Sequence, residues 1–431
     1  MRLSDIKKTT AFLCLLLSVS ALCSCGAPQI MEPDEGGDGK EDVELTLWTF
    51  PVGNWGNPTA VSNILYSFHK EYPDIHISVE YLTYDNGDER ISQAVLENRA
   101  PDLVLEGPER IVANWGEKGW MVDLSDLWES DTAGEIYENI RAACRYRDGA
   151  YYEFPICMSA HCMAINYDMF REAGALSYID EETHTWTTEG FFIQAVRALT
   201  AYGQENVGII YCKNQSGDQG TRALVNNLYG GTFTDEAHTH YTIDSKENQK
   251  ALELLYGMEG ITFAPSLSSV EAIDLFCKKE SAMCFCWNSS IEIQQTINNP
   301  TLDFEIFPMA FPTSEAAPKL QGGIWGFGIF DTGAEERIEA AKTFIRYISE
   351  NDTVYTRAVR ASSYWPVREI EDIYENDIFM SEYSIFMSYM DSYYQITPNW
   401  PQARTAWWQM LAKIGAGTDI PEAVKGFPSP D

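Results

Sequence analysis

The chain has 431 residues, with 64 acidic against 30 basic side chains and a formal net charge of −34. That excess of negative charge argues against nucleic acid or an anionic membrane surface as a partner. Once the N-terminal segment is set aside, roughly 390 residues remain, more than one ordinary core holds and about enough for two lobes.

At the N-terminus, Arg2, Lys7 and Lys8 precede an uncharged run from Thr9 to Leu22. This is a basic segment followed by an apolar one too short to span a bilayer comfortably. Leu22-Cys23-Ser24-Cys25 then sets an apolar residue, and later a small one, ahead of a cysteine; the stretch resembles a bacterial lipobox. The resemblance implies cleavage before Cys25 and diacylglycerol on its thiol. Two or more acyl chains suffice for stable anchoring where one does not. The expected location is therefore the cell membrane, lipid-anchored on the extracellular face. Gly26 to Asp42, "GAPQIMEPDEGGDGKED", reads as an acidic tether that cannot bury a core, so folding begins near Val43.

"VELTLWTF" from Val43 alternates as a strand, and Asn57-Pro58 supplies an N-cap and a first-turn proline for a helix through Val61, Ile64, Leu65 and Phe68. Ile75, Ile77, Val79 and Tyr81 alternate as a second strand. A helix around Ile91 to Asn98 leads to the short apolar run "PDLVLEG", a buried parallel strand. Strand, helix, strand, helix, strand is the opening of a doubly wound α/β lobe. Beyond "FPICMSAHCMAINYDMF" a second lobe is expected. It takes a helix after Trp186-Thr187-Thr188, the strand "NVGIIYC", and a helix capped near Asp244-Ser245. "AMCFCW", "DFEIFPMAFP" and "GGIWGFGIF" follow as strand-like runs. Helices are expected from Glu335 to Ser349 and from Pro401 to Ile414, with Gly415 as a stop.

Beyond Cys14, Cys23 and Cys25, seven cysteines remain: Cys144, Cys157, Cys162, Cys212, Cys277, Cys284 and Cys286. An odd number without framework spacing argues against a disulfide scaffold and for buried, reduced thiols. Cys284-Phe285-Cys286 lacks the spacing of a zinc site. His238-Thr239-His240, with His184, has the look of a chelating pair but finds no further ligands, so neither a metal nor a cofactor is expected.

The blocks, taken in order, resemble the family 1 extracellular solute-binding proteins of ABC importers, the maltose-binding-like group. They are "LTLWTF" and "FHKEYPDIHISVEY", then "APDLVLEG" and "RDGAYYEFPICMSAHCMAINYDMFREAGA". "TWTTEGFFIQAVRALT", "YTIDSKENQKALELL", "ESAMCFCW", "AAKTFIRYI" and "TPNWPQARTAWWQML" complete the series. The resemblance implies a two-lobe α/β fold of the periplasmic-binding-protein type II kind, with the ligand cleft between lobes. Lobe 1 is expected over residues 43–155 plus about 312–347, and lobe 2 over about 156–311 plus 348–431. Crossing strands are expected at Phe154 to Met158 and Ile306 to Phe311. Hinge closure on a carbohydrate, presentation to the permease subunits and a monomeric state are what the family implies.

A sugar ring needs flat aromatic faces for its C–H surface and planar polar groups for its hydroxyls. The resemblance points to Trp287 at the end of "AMCFCW" as the stacking tryptophan. It also points to Trp407 and Trp408 as cleft aromatics, although Trp407 shares helical spacing with Leu411 and Ile414 and so competes for the core. Glu106, Glu109 and Arg110 follow the strand "PDLVL", where α/β sheets meet their ligands. Glu109-Arg110 falls where sugar-binding relatives carry an acid–arginine pair, while Glu106 stands where the maltose binder has an aromatic ring. Asn54 and Trp55 lie in a loop after the first strand, Ser159 and His161 just past the first crossing, and Trp325 within "GGIWGFGIF". "KNQSGDQG", from Lys213 to Gly220, offers polar contacts or a plain turn. Two rivals stay open: an extracellular glycosidase with paired acids, and a receptor presenting ligand to a sensor kinase. No G-x-S-x-G, H-E-x-x-H or P-loop pattern occurs.

Overall fold

A computed structural model describes residues 42–84, 86–299, 302–371, 373–425 and 427. Cys25, the expected leader and the expected tether up to residue 41 lie outside the described residues.

The described chain builds two sheets. The first has the order β11-β4-β10-β3-β1-β2, from β1 (Val43–Thr49), β2 (Ile75–Tyr81), β3 (Leu103–Glu106), β4 (Phe154–Ala160), β10 (Gly322–Ile329) and β11 (Trp365–Pro366). β1 pairs in parallel with β2 and β3, and β10 runs antiparallel between β3 and β4. The second has the order β7-β6-β8-β5-β9, from β5 (Cys162–Asn166), β6 (Gly208–Tyr211), β7 (Ile261–Ala264), β8 (Met283–Trp287) and β9 (Ile306–Met309). Here β6 is parallel to β7 and β8, and β5 is antiparallel to β8 and β9.

Local chemistry explains the opening units. β1 alternates in burial as its sequence alternates in polarity. Asn57 caps helix Pro58–Glu71 by accepting from the Thr59 N–H at 3.0 Å, and Pro58 fills the first turn. β3 is buried throughout, as a strand covered on both faces must be. Ser245 and Ser268 cap helices Lys246–Gly257 and Ser269–Cys277, the latter with a reciprocal Glu271 capping box. The seven cysteines from Cys144 onward are all free.

The chain passes between the sheets at His161, which separates β4 from β5, and again between β9 and β10. The expected crossing strand Phe154 to Met158 belongs wholly to the first sheet, and the turn-over falls after it. A second difference concerns helix Asp352–Ser362 and β11. Both were expected with the second lobe, yet the helix packs on β4 and on helix Pro58–Glu71, and β11 pairs with β4. Two residues of strand are too short to carry a legible period. After β11 the chain returns through helix Ile378–Ser384 to helix Trp400–Gly415, which packs on β7.

Candidate functional site

A cavity of about 520 Å³ is lined on one side by strand residues of the first sheet and on the other by the loop and helix that follow β6 of the second. Its first-sheet wall forms where β3 ends. Glu106 is the last residue of that strand and is 1% exposed; Gly107 and Pro108 then turn the chain so that Glu109 and Arg110 face the same space. Arg110 is the hub. Its Nε and Nη2 donate to the two carboxylate oxygens of Asp88 at 2.8 and 3.1 Å, while Nη1 donates to Glu106 at 2.8 Å and to Glu109 at 3.4 Å. The guanidinium also lies over the rings of Phe50 and Tyr84, themselves stacked. Burial raises the Glu106 carboxyl; Arg110 opposes this, and Glu109 and Asp88 add to it.

An aromatic plate stands beside this cluster. Trp325 on β10 stacks on Tyr364 with ring centroids 4.6 Å apart and planes 11° from parallel, and both line the cavity. Gly323 is two residues earlier on the same face of β10, and a Cβ there would run into the Trp325 ring. The glycine therefore lets the indole lie across the strand.

The second-sheet wall comes from the loop after β6 and the helix Asp218–Tyr229. Asn214, Gln215, Ser216, Gly217 and Gln219 line the cavity. Gly217 has φ +66°, and a Cβ on it would meet Ser269 and the Cys286 sulfur, so the turn needs glycine. Behind the loop, buried Asp218 receives Arg222 at 2.5 Å and Arg404 at 3.0 Å. Burial would raise this carboxyl, but the two guanidiniums hold it below the usual range. His161, at the crossing point, contacts Gln219 at 3.3 Å and Asn288 at 3.4 Å through its two ring nitrogens. Tyr393 and Tyr394 reach opposite ways: the Tyr393 hydroxyl donates to Glu109, while the Tyr394 hydroxyl accepts from Arg222 at 3.1 Å.

Burial, with a smaller push from Arg222 and against Asp218, lowers His161 to about 4. Between that value and the ordinary one near 6.5, the unfolded chain binds more protons than the native one, so this residue's contribution to stability rises with pH. His161→Gln is expected to flatten the fall in melting temperature between about pH 6.5 and 4 relative to the parent chain. Parallel thermal melts of the two proteins check this; identical slopes would remove His161 as the cause.

Of the residues singled out in the sequence, the structure brings Glu106, Glu109, Arg110, His161 and Trp325 to this cavity, together with Asn214 to Gly217 and Gln219 of the Lys213 to Gly220 stretch. Six others do not line it. Trp287 is fully buried at the end of β8, with its indole N–H facing Tyr383 at 2.9 Å and Glu292 at 3.0 Å and its ring edge-on to Phe276. Trp407 is buried too, donating to Thr221 at 2.9 Å and packing on Phe233, so its spacing with Leu411 and Ile414 marked a core stripe. Trp55 is buried edge-on to Phe327, and Ser159 is a buried β4 residue opposite Gly323. Asn54 is exposed and donates to Ser363 at 2.8 Å. Trp408 is partly exposed and is not part of the cavity wall. Sequence reasoning passed over Asp88, Tyr84, Tyr364, Tyr393, Gln395 and Arg404, all of which line the cavity.

A second cavity of about 510 Å³ lies among helix Asp218–Tyr229, the Gly230 to His238 loop and connector residues such as Glu315, Lys319 and Asp391. No first-sheet strand contributes to it, so it does not span the two sheets. Among the described residues there is no group of histidine, cysteine, aspartate and glutamate side chains placed to hold a metal ion. The spanning cavity thus combines one aromatic plate, paired charges and several amides, a set suited to gripping a small ligand from two sides.

Comparison with known proteins agrees with this architecture. The model for bacterial extracellular solute-binding proteins matches residues 56–354. An arabinooligosaccharide-binding protein of Halalkalibacterium halodurans is 21% identical over 372 residues, covering 84% of this chain and 79% of its own. Among solved structures, an ABC substrate-binding protein of Listeria monocytogenes in complex with cycloalternan aligns with a TM-score of 0.69 at 19% identity, over 89% of this chain and 97% of that one. The maltose/maltodextrin-binding domain from Bdellovibrio bacteriovorus bound to maltotriose aligns with a TM-score of 0.64 at 16% identity, over 88% and 96%. The fold is the type II periplasmic-binding-protein fold, and the chain belongs to the bacterial extracellular solute-binding protein family.

Proposed function

We propose that this chain is a lipid-anchored receptor that captures a carbohydrate, an oligosaccharide by preference, and delivers it to an ABC importer. In this reading the anchor is Cys25, the tether runs from Gly26 to Asp42, and the folded part works as a monomer on the extracellular face of the cell membrane. The lobes are the bodies built on the two sheets, and the cavity between them is the ligand cleft. The observation that carries the reading is that one cavity has the Trp325–Tyr364 plate and the Arg110 cluster on one wall and the Gln215–Gln219 turn on the other. A ring stacked on the plate places its hydroxyls toward both walls.

Delivery follows from motion. A ligand that touches both walls only when they are close shifts the population toward the closed form. Tyr393 and Tyr394 sit where that motion must be absorbed, since neighbouring residues hold different lobes. The cleft carboxyls support binding over glycosidase chemistry, because Glu106, Glu109 and Asp88 all share one guanidinium. The relatives named above, with their arabinooligosaccharide, cycloalternan and maltotriose ligands, support carbohydrate as the solute class.

The test is a thermal-shift screen across mono- and oligosaccharides. A ligand present at a hundredfold over its dissociation constant is expected to add about 2.7 kcal/mol of stability. A screen in which no saccharide moves the transition, while another solute class does, would contradict the assignment.

A further inference from the structure

The two walls of the cleft are oppositely unbalanced in charge. On the first wall Asp88, Glu106 and Glu109 converge on Arg110, and among the described residues Arg110 is the cation paired with them. A fourth carboxyl, Glu153 just before β4, is fully buried nearby, and neither of its oxygens has a hydrogen-bond partner. Behind the second wall the ratio reverses: buried Asp218 is shared by Arg222 and Arg404, and of these three Arg404 lines the cavity.

Hydroxyl donors soften the first wall without cancelling it. Tyr393 donates to Glu109, but a neutral donor supplies no charge. Asp88 keeps half of its side chain exposed and Glu109 about a sixth, so water now solvates part of the excess. Lobe closure on an uncharged ligand strips that water and leaves the surplus carboxylate in a poorer dielectric. A proton taken up by one carboxyl is one remedy; burial already raises both Glu106 and Glu153. A cation arriving with the ligand is the other, and it adds charge-assisted hydrogen bonds that the proton does not.

Resting on the carbohydrate reading above, we infer that the cleft prefers a saccharide bearing a free ammonium group, seated against Asp88 and Glu109, with its hydroxyls turned toward Gln219 and Arg404. A neutral saccharide fits the same space less tightly. A uronate would bring its charge to the acidic wall and is disfavoured there, whereas Arg404 would welcome it if the ligand lay reversed.

The experiment is isothermal titration of the full chain against matched sets: glucosamine, N-acetylglucosamine and glucose; galactosamine, its N-acetyl form and galactose; chitobiose, diacetylchitobiose and cellobiose; and the corresponding uronates. At least one amino member is expected to bind tenfold or more tightly than both of its neutral counterparts. That ratio should shrink as salt rises, because exposed charge is screened, and should fall toward one in the double variant Asp88→Asn, Glu109→Gln. If neutral saccharides bind and no amino member leads its set, the preference is wrong while the carbohydrate reading stands. A uronate leading its set overturns the preference and places the ligand's charge at Arg404. A panel in which nothing binds, with other solutes bound instead, overturns both.

Discussion

Replacing Arg110 with methionine is expected to abolish saccharide binding and to lower the unfolding free energy by roughly 3–5 kcal/mol at neutral pH, as removal of one partner from a buried ion cluster does. The residue does three things at once. It is, among the described residues, the cation paired with Asp88, Glu106 and Glu109, it lies over Phe50 and Tyr84, and it fixes the height of the cleft wall just past β3. Without it three carboxyls face one another, with Glu106 almost wholly out of water. Those acids then bind protons in the native state that the unfolded chain releases, so the variant's deficit should narrow as pH falls. Lysine is expected to restore stability in part and binding little, because a point charge cannot serve Asp88 through two parallel bonds while also reaching Glu106. Urea titrations at neutral and mildly acidic pH, paired with calorimetry, check both halves. A variant as stable as the parent, with binding unchanged, would show that the cluster is ornament.

The second large effect separates two tryptophans that look alike in the sequence. Trp287→Ala is expected to cost about 3–5 kcal/mol of stability, the range for emptying a large aromatic from a core. It also leaves Glu292 and the Tyr383 hydroxyl without their indole donor. The molecules that remain folded should still bind. Trp325→Ala should do the reverse. The indole is half-buried on the cleft face, so its loss should leave the melting transition close to the parent's, while binding weakens by about 2 kcal/mol or more, near thirtyfold. Gly323→Ala should mimic it, since the added methyl takes the space where the indole now lies. Melts and titrations on these variants should therefore split into two groups. If Trp287→Ala loses affinity and keeps its stability, the burial argument fails.

Much of the fold was legible because local chemistry and tertiary context agree. The Asn57-Pro58 start, the alternation in β1 and the apolar run of β3 each admit one reading, and the structure follows it. The helices expected from Glu335 and Pro401 form as Glu335–Glu350 and Trp400–Gly415. The site was legible only where it lies on such elements. Glu106, Glu109 and Arg110 follow a strand end, which is a place with a rule attached. Tyr84, Tyr364, Tyr393 and Arg404 arrive from four separate stretches, and nothing in a chain with 23 tyrosines marks three of them. Trp287 and Trp407 were misplaced for a related reason. A tryptophan at a strand end or on a helix stripe has the same period whether it meets solvent or core. Only the neighbours decide, here Tyr383 from nearly a hundred residues away and Phe233 from beyond helix Asp218–Tyr229.

The most direct measurement is small-angle scattering of the chain with and without a saccharide that calorimetry has shown to saturate it. The two sheet bodies should draw together on the guest, so the radius of gyration should fall and the long-distance end of the pair distribution should shorten. The same curve in both states, with the cleft demonstrably full, would contradict capture by closure.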